Sequence, residues 1–405
     1  MKPHIVVLHR APGIAMPFAE RIDHSQYAVT YVTIRSAQRT VPPEATAVIV
    51  IEDLAYAAKA VRDLVSTYGR PERIIARGEY DLMTAAALRM EFGVDGDLPE
   101  HVVWFRDKLV MCEAVQAAGV DVPEFGEVRT DTEVASFAEA HGFPVVVKPR
   151  LGATSRDVVI IESHGELAAL PDLSAEPFLV QRFCPDPVGH IDGIWTGTEL
   201  AAWRVSRYVD TCLSFATGGA TLGSVELDDP ALRAQAEELA VAVCLALSKG
   251  RPQAFHLEYF LGYDDSGRPQ LRFLEVAARV GGTEIAYIWR DVHQFDLLGA
   301  SLDIQLGRTP EPHVFPEDVV GGFVVIRPSV PPPCVVIDSG LEITPALGRT
   351  LYDGEVPARG AVITASEGYV GVGAAFRFRG DSTVQVMDSI AQARAGFHMI
   401  CVPQE

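Results

Sequence analysis

Residues 253–282 read QAFHLEYFLGYDDSGRPQLRFLEVAARVGG, and their pattern restricts the fold more than any other stretch. Residues 254–261 and 271–277 are rich in β-branched, aromatic and aliphatic side chains. The turn-formers Asp264-Asp265-Ser266-Gly267 lie between them, which predicts a β-hairpin. Pairing Glu258 with Glu275 centres the loop between Ser266 and Gly267. Side chains alternate along a strand, so both carboxylates then share one sheet face with His256. Directly opposed like charges destabilise a sheet unless something cancels them. A divalent cation does so, and an all-oxygen ligand set favours Mg²⁺. The competing reading is a solvated strand face.

Arg279 and the Gly281-Gly282 pair follow the second acid. They place a fixed cation, and backbone amides able to face an anion, just beyond the expected metal site. The competing reading makes Arg279 a surface ion-pair partner. The matched register of the two acids, together with this Arg-x-Gly-Gly, favours the functional reading.

The chain has 405 residues and a formal charge of −20. That length suggests two or three domains, and the charge opposes nucleic acid or an anionic membrane as partner. No apolar run approaches the ~20 residues of a membrane span. The opening MKPHIVVLHRAPG reads as a strand rather than a signal peptide. Six cysteines (112, 184, 212, 244, 334, 401) are scattered without C-x-x-C spacing. They suit a reducing, cytoplasmic setting and argue against zinc. Only five lysines occur, at 2, 59, 108, 148 and 249, so each surviving lysine is a weak pointer to a site that needs a compact ammonium.

Up to residue 100, short apolar runs (4–8, 28–34, 47–51, 73–76) alternate with helical ones (54–68, 80–92), the pattern of a parallel α/β unit. His9-Arg10 follows the first run and is expected at the carboxyl edge of that sheet, without G-x-G-x-x-G. After residue 310 the strand-like stretches are GGFVVIRP, PCVVI, GAVITAS and YVGVGAAFRFRG.

Four motifs lie between. Asp107 is a plausible N-cap for a helix whose first turn holds Lys108, a cation that opposes the helix dipole unless an anion lies near. Lys148 ends the apolar run 143–147, a costly place for an ammonium without a partner. The small hydroxyl-rich loop Gly152-Ala153-Thr154-Ser155 follows, suited to folding over phosphate although it lacks Walker spacing; an ordinary β-hairpin is the alternative. The run 177–181 leads through Arg182, Phe183 and Cys184 into Pro-Asp-Pro, and His190-x-Asp192-Gly193 lies on the next strand. Arg204, Arg207 and Tyr208 fit either a substrate carboxylate or a half-exposed strand face.

Taken together, residues 101–310 resemble the ATP-grasp superfamily, in its carboxylate–amine (amino-acid or dipeptide) ligase branch. The resemblance implies an ATP-grasp fold: an N-terminal Rossmann-like α/β domain at 1–100, an ATP-grasp core of two lobes at 101–310, and a C-terminal β-rich subdomain at 311–405. It implies Mg²⁺, with Mn²⁺ as a substitute, on Glu258 and Glu275. The family often has Asn two residues past the second acid; Ala277 stands there, which leaves a second metal short of a ligand. ATP is expected against Lys108, Lys148, Gly152, Thr154, Ser155, Gln181 (usually Glu in the family), Arg182, Phe183, Cys184 and His190. Arg279, Gly281 and Gly282 would stabilise the transferring group, and His256 would move a proton. Glu79 resembles an acid of the family's preceding domain, and equally reads as a helix-start acid. The implied activity is ADP-forming amide or peptide bond synthesis through an acyl phosphate. Small-molecule carboxylate and amine substrates are expected, and a homodimer is compatible. A carboxylating or purine-pathway enzyme and a non-catalytic nucleotide-binding regulator are the alternatives.

Overall fold

The computed structural model describes residues 2–11, 16–316, 318–364 and 372–404. Pro12-Gly13 after the first strand, and residues 365–371 of GAVITAS and YVGVGAAFRFRG, lie outside the described residues.

Strands β1 (His4–His9), β2 (Ala28–Ile34), β3 (Ala47–Ile51) and β4 (Pro71–Ala76) form a parallel sheet in the order β3-β2-β1-β4. All six residues of β1 are buried, as a strand covered on both faces requires. Helices Ala57–Tyr68 and Leu82–Phe92 cover one face through Val61, Leu64, Ala85 and Leu88. Each is preceded by a 3-10 turn, Leu54–Tyr56 inside the expected helical run and Glu79–Asp81 starting one residue before it. Leu302, on the distant helix Leu297–Gln305, packs with Ile5, Val7 and Ile75 on the other face. Strands β2 and β3 lie to one side of β1 and β4 to the other, so the topological switch point falls between the carboxyl ends of β1 and β4.

A four-stranded antiparallel sheet follows: β5 (Phe125–Val128), β6 (Val145–Pro149), β7 (Val159–Ile161) and β8 (Phe178–Arg182), ordered β5-β8-β6-β7. Helix Asp131–His141 backs it with Val134 and Ala138, which pack on Val145, Val147 and Phe178.

The largest sheet has eight strands. They are β9 (Val188–Trp195), β10 (Leu200–Asp210), β11 (Thr221–Glu226), β12 (Gln253–Tyr263), β13 (Pro269–Ala277), β14 (Val320–Ile326), β16 (Leu351–Glu355) and β18 (Ala374–Gly380), ordered β13-β12-β9-β10-β11-β14-β18-β16. Helices Lys108–Ala117 and Pro230–Ser248 cover one face, and helix Ile285–His293 covers the other. Strands β14, β16 and β18 hydrogen-bond into this sheet, so it runs on past residue 310. Strands β15 (Cys334–Leu341), β17 (Val362–Ile363) and β19 (Phe397–Pro403) form a separate small sheet. Helix Thr383–Gly396, which sequence patterning did not isolate, packs Val386, Ile390 and Ala393 against β14 and β18.

The hairpin β12–β13 pairs Glu258 with Glu275, the expected register. The ladder then shifts by one residue between Glu258 and Tyr259, which faces Phe273 rather than Leu274. A β-bulge at Leu274 therefore separates the acids from the hairpin tip. The turn tightens accordingly: Tyr263 faces Pro269, the Asp264 amide donates to the Arg268 carbonyl at 2.9 Å, and Gly267 supplies φ +78°.

Candidate active site

Glu258 and Glu275 border one cavity of about 750 Å³. Each acid has one neighbour that limits the repulsion between them. The Tyr208 hydroxyl, on β10, donates to Glu258 Oε1 at 2.8 Å. Lys108 Nζ lies 3.4 Å from Glu275 Oε2. Burial alone would raise the Glu275 pKa, but Lys108 and Lys148 outweigh it and hold the carboxylate below the usual range. Two carboxylate side chains on one sheet face fit a hard divalent cation. Ala277 pairs with His256 and brings no third oxygen.

Asp107 caps helix Lys108–Ala117 by accepting from the Leu109 amide at 3.0 Å, which fixes Lys108 in the first turn. Lys108 Nζ donates to the Gly152 carbonyl at 2.7 Å. The adjacent loop carbonyls are held as well. Arg106 donates to Leu151 O at 2.5 Å, and the Tyr80 hydroxyl donates to Ala153 O at 3.0 Å. Three consecutive carbonyls of the loop are thus gripped from outside it. Thr154 and Ser155 adopt left-handed φ of 55° and 57°. Ser155 and Gly152 line the cavity, whereas the Thr154 hydroxyl donates to its neighbour's carbonyl.

Lys148 is buried, and no described residue gives it a hydrogen bond or ion pair. Burial lowers its pKa against the pull of Glu275. Gln181 is buried with its Nε2 unpartnered. Both line the cavity with Arg182, Phe183 and Cys184, and Val146, Val159, Ile160, Phe260 and Leu274 supply apolar walls. Apolar walls, an orphaned amide donor and an unpaired ammonium fit a flat base joined to an anion-rich tail.

Arg279 lies outside this cavity lining, and its fork is already engaged. Its Nε and Nη2 both reach Glu79 Oε2 at 2.8 Å, while Nη1 donates to the Val280 carbonyl at 3.0 Å. Arg106 takes the other oxygen of Glu79 at 2.5 Å. Burial opposes ionisation of Glu79, but Arg279 and Arg106 outweigh it and hold its pKa down. Glu79 lies in the 3-10 turn before helix Leu82–Phe92 and clasps two arginines. Gly281 and Gly282 do not take positive φ; Thr283 does, at 52°. Gly281 is required instead by close approach, since a Cβ there would meet Asp192 Oδ1 at 2.5 Å. Gly282 faces open space.

His190 and His256 also lie outside the cavity lining. Asp192 accepts from His190 Nδ1 at 2.6 Å and from His256 Nδ1 at 2.9 Å. The other nitrogen of His190 meets Ser224 Oγ at 2.7 Å. With both ring nitrogens bonded in the interior, His190 does not reach a nucleotide. His256 Nε2 lies 3.3 Å from the Tyr208 hydroxyl and 3.6 Å from Glu258. Burial disfavours its charge, yet Asp192 and Glu258 prevail and raise its pKa to about 9. Both ring nitrogens are thus engaged, Nδ1 by Asp192 and Nε2 beside Tyr208 and Glu258, and the ring lies outside the cavity lining. Arg204 is bound to His293 Nδ1 and the Pro316 carbonyl, which removes it from any substrate. Sequence reasoning missed that Tyr208 binds Glu258, and no local signal marks that contact.

No family model matches the chain. The L-arginine-specific L-amino acid ligase of Bacillus subtilis is 26% identical over 269 residues, which is 62% of this chain and 62% of that protein. The carbamoyl phosphate synthase large chain of Streptomyces griseus is 28% identical over 123 residues, 29% of this chain and 11% of that one. Among solved structures, an L-amino acid ligase from Bacillus licheniformis superposes with TM-score 0.73 at 16% identity, covering 100% of this chain and 99% of that one. N5-carboxyaminoimidazole ribonucleotide synthetase from Thermotoga maritima gives TM-score 0.69 at 17% identity, with 99% of each chain covered. The chain has the ATP-grasp fold, and its sequence resembles the amino-acid ligase branch of that superfamily.

Proposed function

We propose that this protein is an ATP-dependent carboxylate–amine ligase that forms an amide or peptide bond and releases ADP and phosphate. The observation that carries the reading is the Glu258–Glu275 pair, set beside Lys108 and Lys148 at one cavity with apolar walls. In this reading Gln181 and the 182–184 segment receive the adenine end, Lys148 meets phosphate oxygens, and Gly152 and Ser155 cover them. Glu258 and Glu275 would hold Mg²⁺, which neutralises phosphate charge and aligns the γ-phosphoryl group. The substrate carboxylate then takes the γ-phosphoryl group as an acyl phosphate, and an amine displaces phosphate. Arg279, fixed by Glu79, presents a preorganised positive charge to the oxyanions that develop. His256, held by Asp192, lies beside Glu258 and would help orient it.

The reading extends to small-molecule substrates, a cytoplasmic setting and a homodimer, with the 1–100, 101–310 and 311–405 divisions as working domain limits. No disulfide joins any of the six cysteines, and no described helix is long and apolar enough to cross a membrane. The test is a phosphate-release screen over pairs of amino acids with ATP and Mg²⁺. ADP formation that needs both a carboxylate and an amine supports the ligase. AMP and pyrophosphate would overturn it, as would ADP release that needs bicarbonate in place of an amine.

A further inference from the structure

Arg77 directly follows the last residue of β4, at the switch point of the N-terminal sheet beside the carboxyl end of β1. Crevices at such points are where open α/β sheets receive ligands. The neighbouring cation there, Arg10, is fully neutralised. Its Nε reaches both oxygens of Asp81 at 3.0 Å, and its Nη2 reaches Asp53 at 2.7 Å. Arg77 has no such partner. Its Nε is buried without an acceptor, and no described residue forms an ion pair with it. Glu79, two residues on, is spent on Arg106 and Arg279.

The surroundings make this vacancy of charge costlier. Burial and the like charge of Arg279 push the Arg77 guanidinium down to about 10. His9, at the end of β1, is pushed down to about 4 by burial and by Arg77. A half-buried cation beside a second cation, with its Nε unpartnered and no described carboxylate on it, is a ready receptor for an anion. A planar guanidinium fork matches a carboxylate. Arg77 follows β4 and Glu79, two residues on, holds Arg279, so an anion on Arg77 would lie on the N-terminal-sheet side of the Glu79–Arg279 pair.

We propose that Arg77 anchors a second, non-reacting carboxylate carried by one of the two substrates. The acyl donor would then be a dicarboxylate, or the amine would be an amino acid whose α-carboxylate is left free. This rests on the ligase reading for its placement in the reaction, but the anion site itself can be tested without turnover.

The kinetic test compares succinate and glutarate with their monoamides as acyl donors, and amino acids with their amides as acceptors, in wild type and Arg77→Gln. The wild type should prefer the carboxylate over the amide by about 10²-fold or more in kcat/KM, because an unpaired site rejects a ligand lacking the matching group. In Arg77→Gln that preference should collapse, chiefly through KM, while nucleotide Kd stays within about twofold. Collapse in the donor arm names a dicarboxylate; collapse in the acceptor arm names a free α-carboxylate. A preference that survives the substitution overturns the proposal.

The second measurement is thermal unfolding without nucleotide, using glutarate and glycylglycine as probes. Arg77→Gln should unfold no lower than wild type, since it removes an unpaired charge, and at least one probe should raise the Tm of wild type alone. A lower Tm for Arg77→Gln means that Arg77 holds a structural partner, and overturns the proposal. A wild type indifferent to both probes overturns it as well. Probe stabilisation specific to wild type, in a protein that forms no amide with any pair, would sink the ligase reading and leave the carboxylate site standing.

Discussion

Replacing Glu79 with Gln tests how the two arginines are held in the cleft. The Glu79 side chain is only 12% exposed and meets Arg106 through one oxygen and Arg279 through the other. Glutamine keeps the shape and one carbonyl acceptor but removes the charge. Its NH₂ group then faces a guanidinium, two donors pointing at each other. Breaking one partner of a buried pair costs about 3–5 kcal/mol. The retained carbonyl returns part of one hydrogen bond, about 1 kcal/mol, which leaves a net loss of about 2–4 kcal/mol. For a cooperative unit of roughly 200 residues that corresponds to a Tm lower by about 4–16 °C. Activity should fall by about 10²-fold or more, the scale of misplacing one oxyanion-stabilising donor. Differential scanning calorimetry and ADP release on Glu79→Gln and Glu79→Asp measure both effects, and Asp should fall between Gln and wild type. A Glu79→Gln variant with unchanged Tm and unchanged turnover would refute the claim that this carboxylate organises the two arginines.

Three further outcomes follow from the site. Glu275→Gln should lose turnover by about 10²-fold or more at saturating Mg²⁺, with a lower Tm because Lys108 and Lys148 lose the carboxylate that balances them; near-normal turnover would remove it from the metal pair. Lys148→Met should raise the nucleotide Kd by about 10-fold or more without lowering Tm, since an unpaired buried ammonium is replaced by an apolar chain; a loss of stability in calorimetry would show a structural role instead. Arg279→Lys should cut turnover by about 10²-fold and leave ATP Kd nearly unchanged, because Lys keeps the charge but loses the two-point grip on Glu79; parallel loss of ATP binding would make Arg279 a nucleotide clamp.

The hairpin was legible because alternation and turn chemistry are local, and the two acids fell into register by counting. The bulge was not, since a one-residue slip beyond Glu258 leaves the apolar pattern of β13 intact. Asp107 as a cap was legible for the same local reason. The Glu79–Arg279 contact joins residues 200 positions apart, and nothing in either segment names the other. His190 shows the opposite failure: its motif suggested a ligand-facing histidine, while Asp192 and Ser224, one of them 34 residues away, consume both ring nitrogens. The 383–396 helix has only a mild amphipathic pattern, so its burial against β14 and β18 depends on a surface that the sheet alone creates.

The grip on Leu151, Gly152 and Ala153 bears on timing. One guanidinium, one ammonium and one phenol each hold a carbonyl of the loop, and two of those donors carry charge. Releasing all three costs about 4–7 kcal/mol at typical net values, a factor of roughly 10³–10⁵ in the open population. Nucleotide arrival and ADP departure would then wait on a rare excursion of this flap, with residence time set by donors that never touch the base. Tyr80 comes from the 3-10 turn after β4, so one of the three fastenings of the flap is supplied by the N-terminal domain.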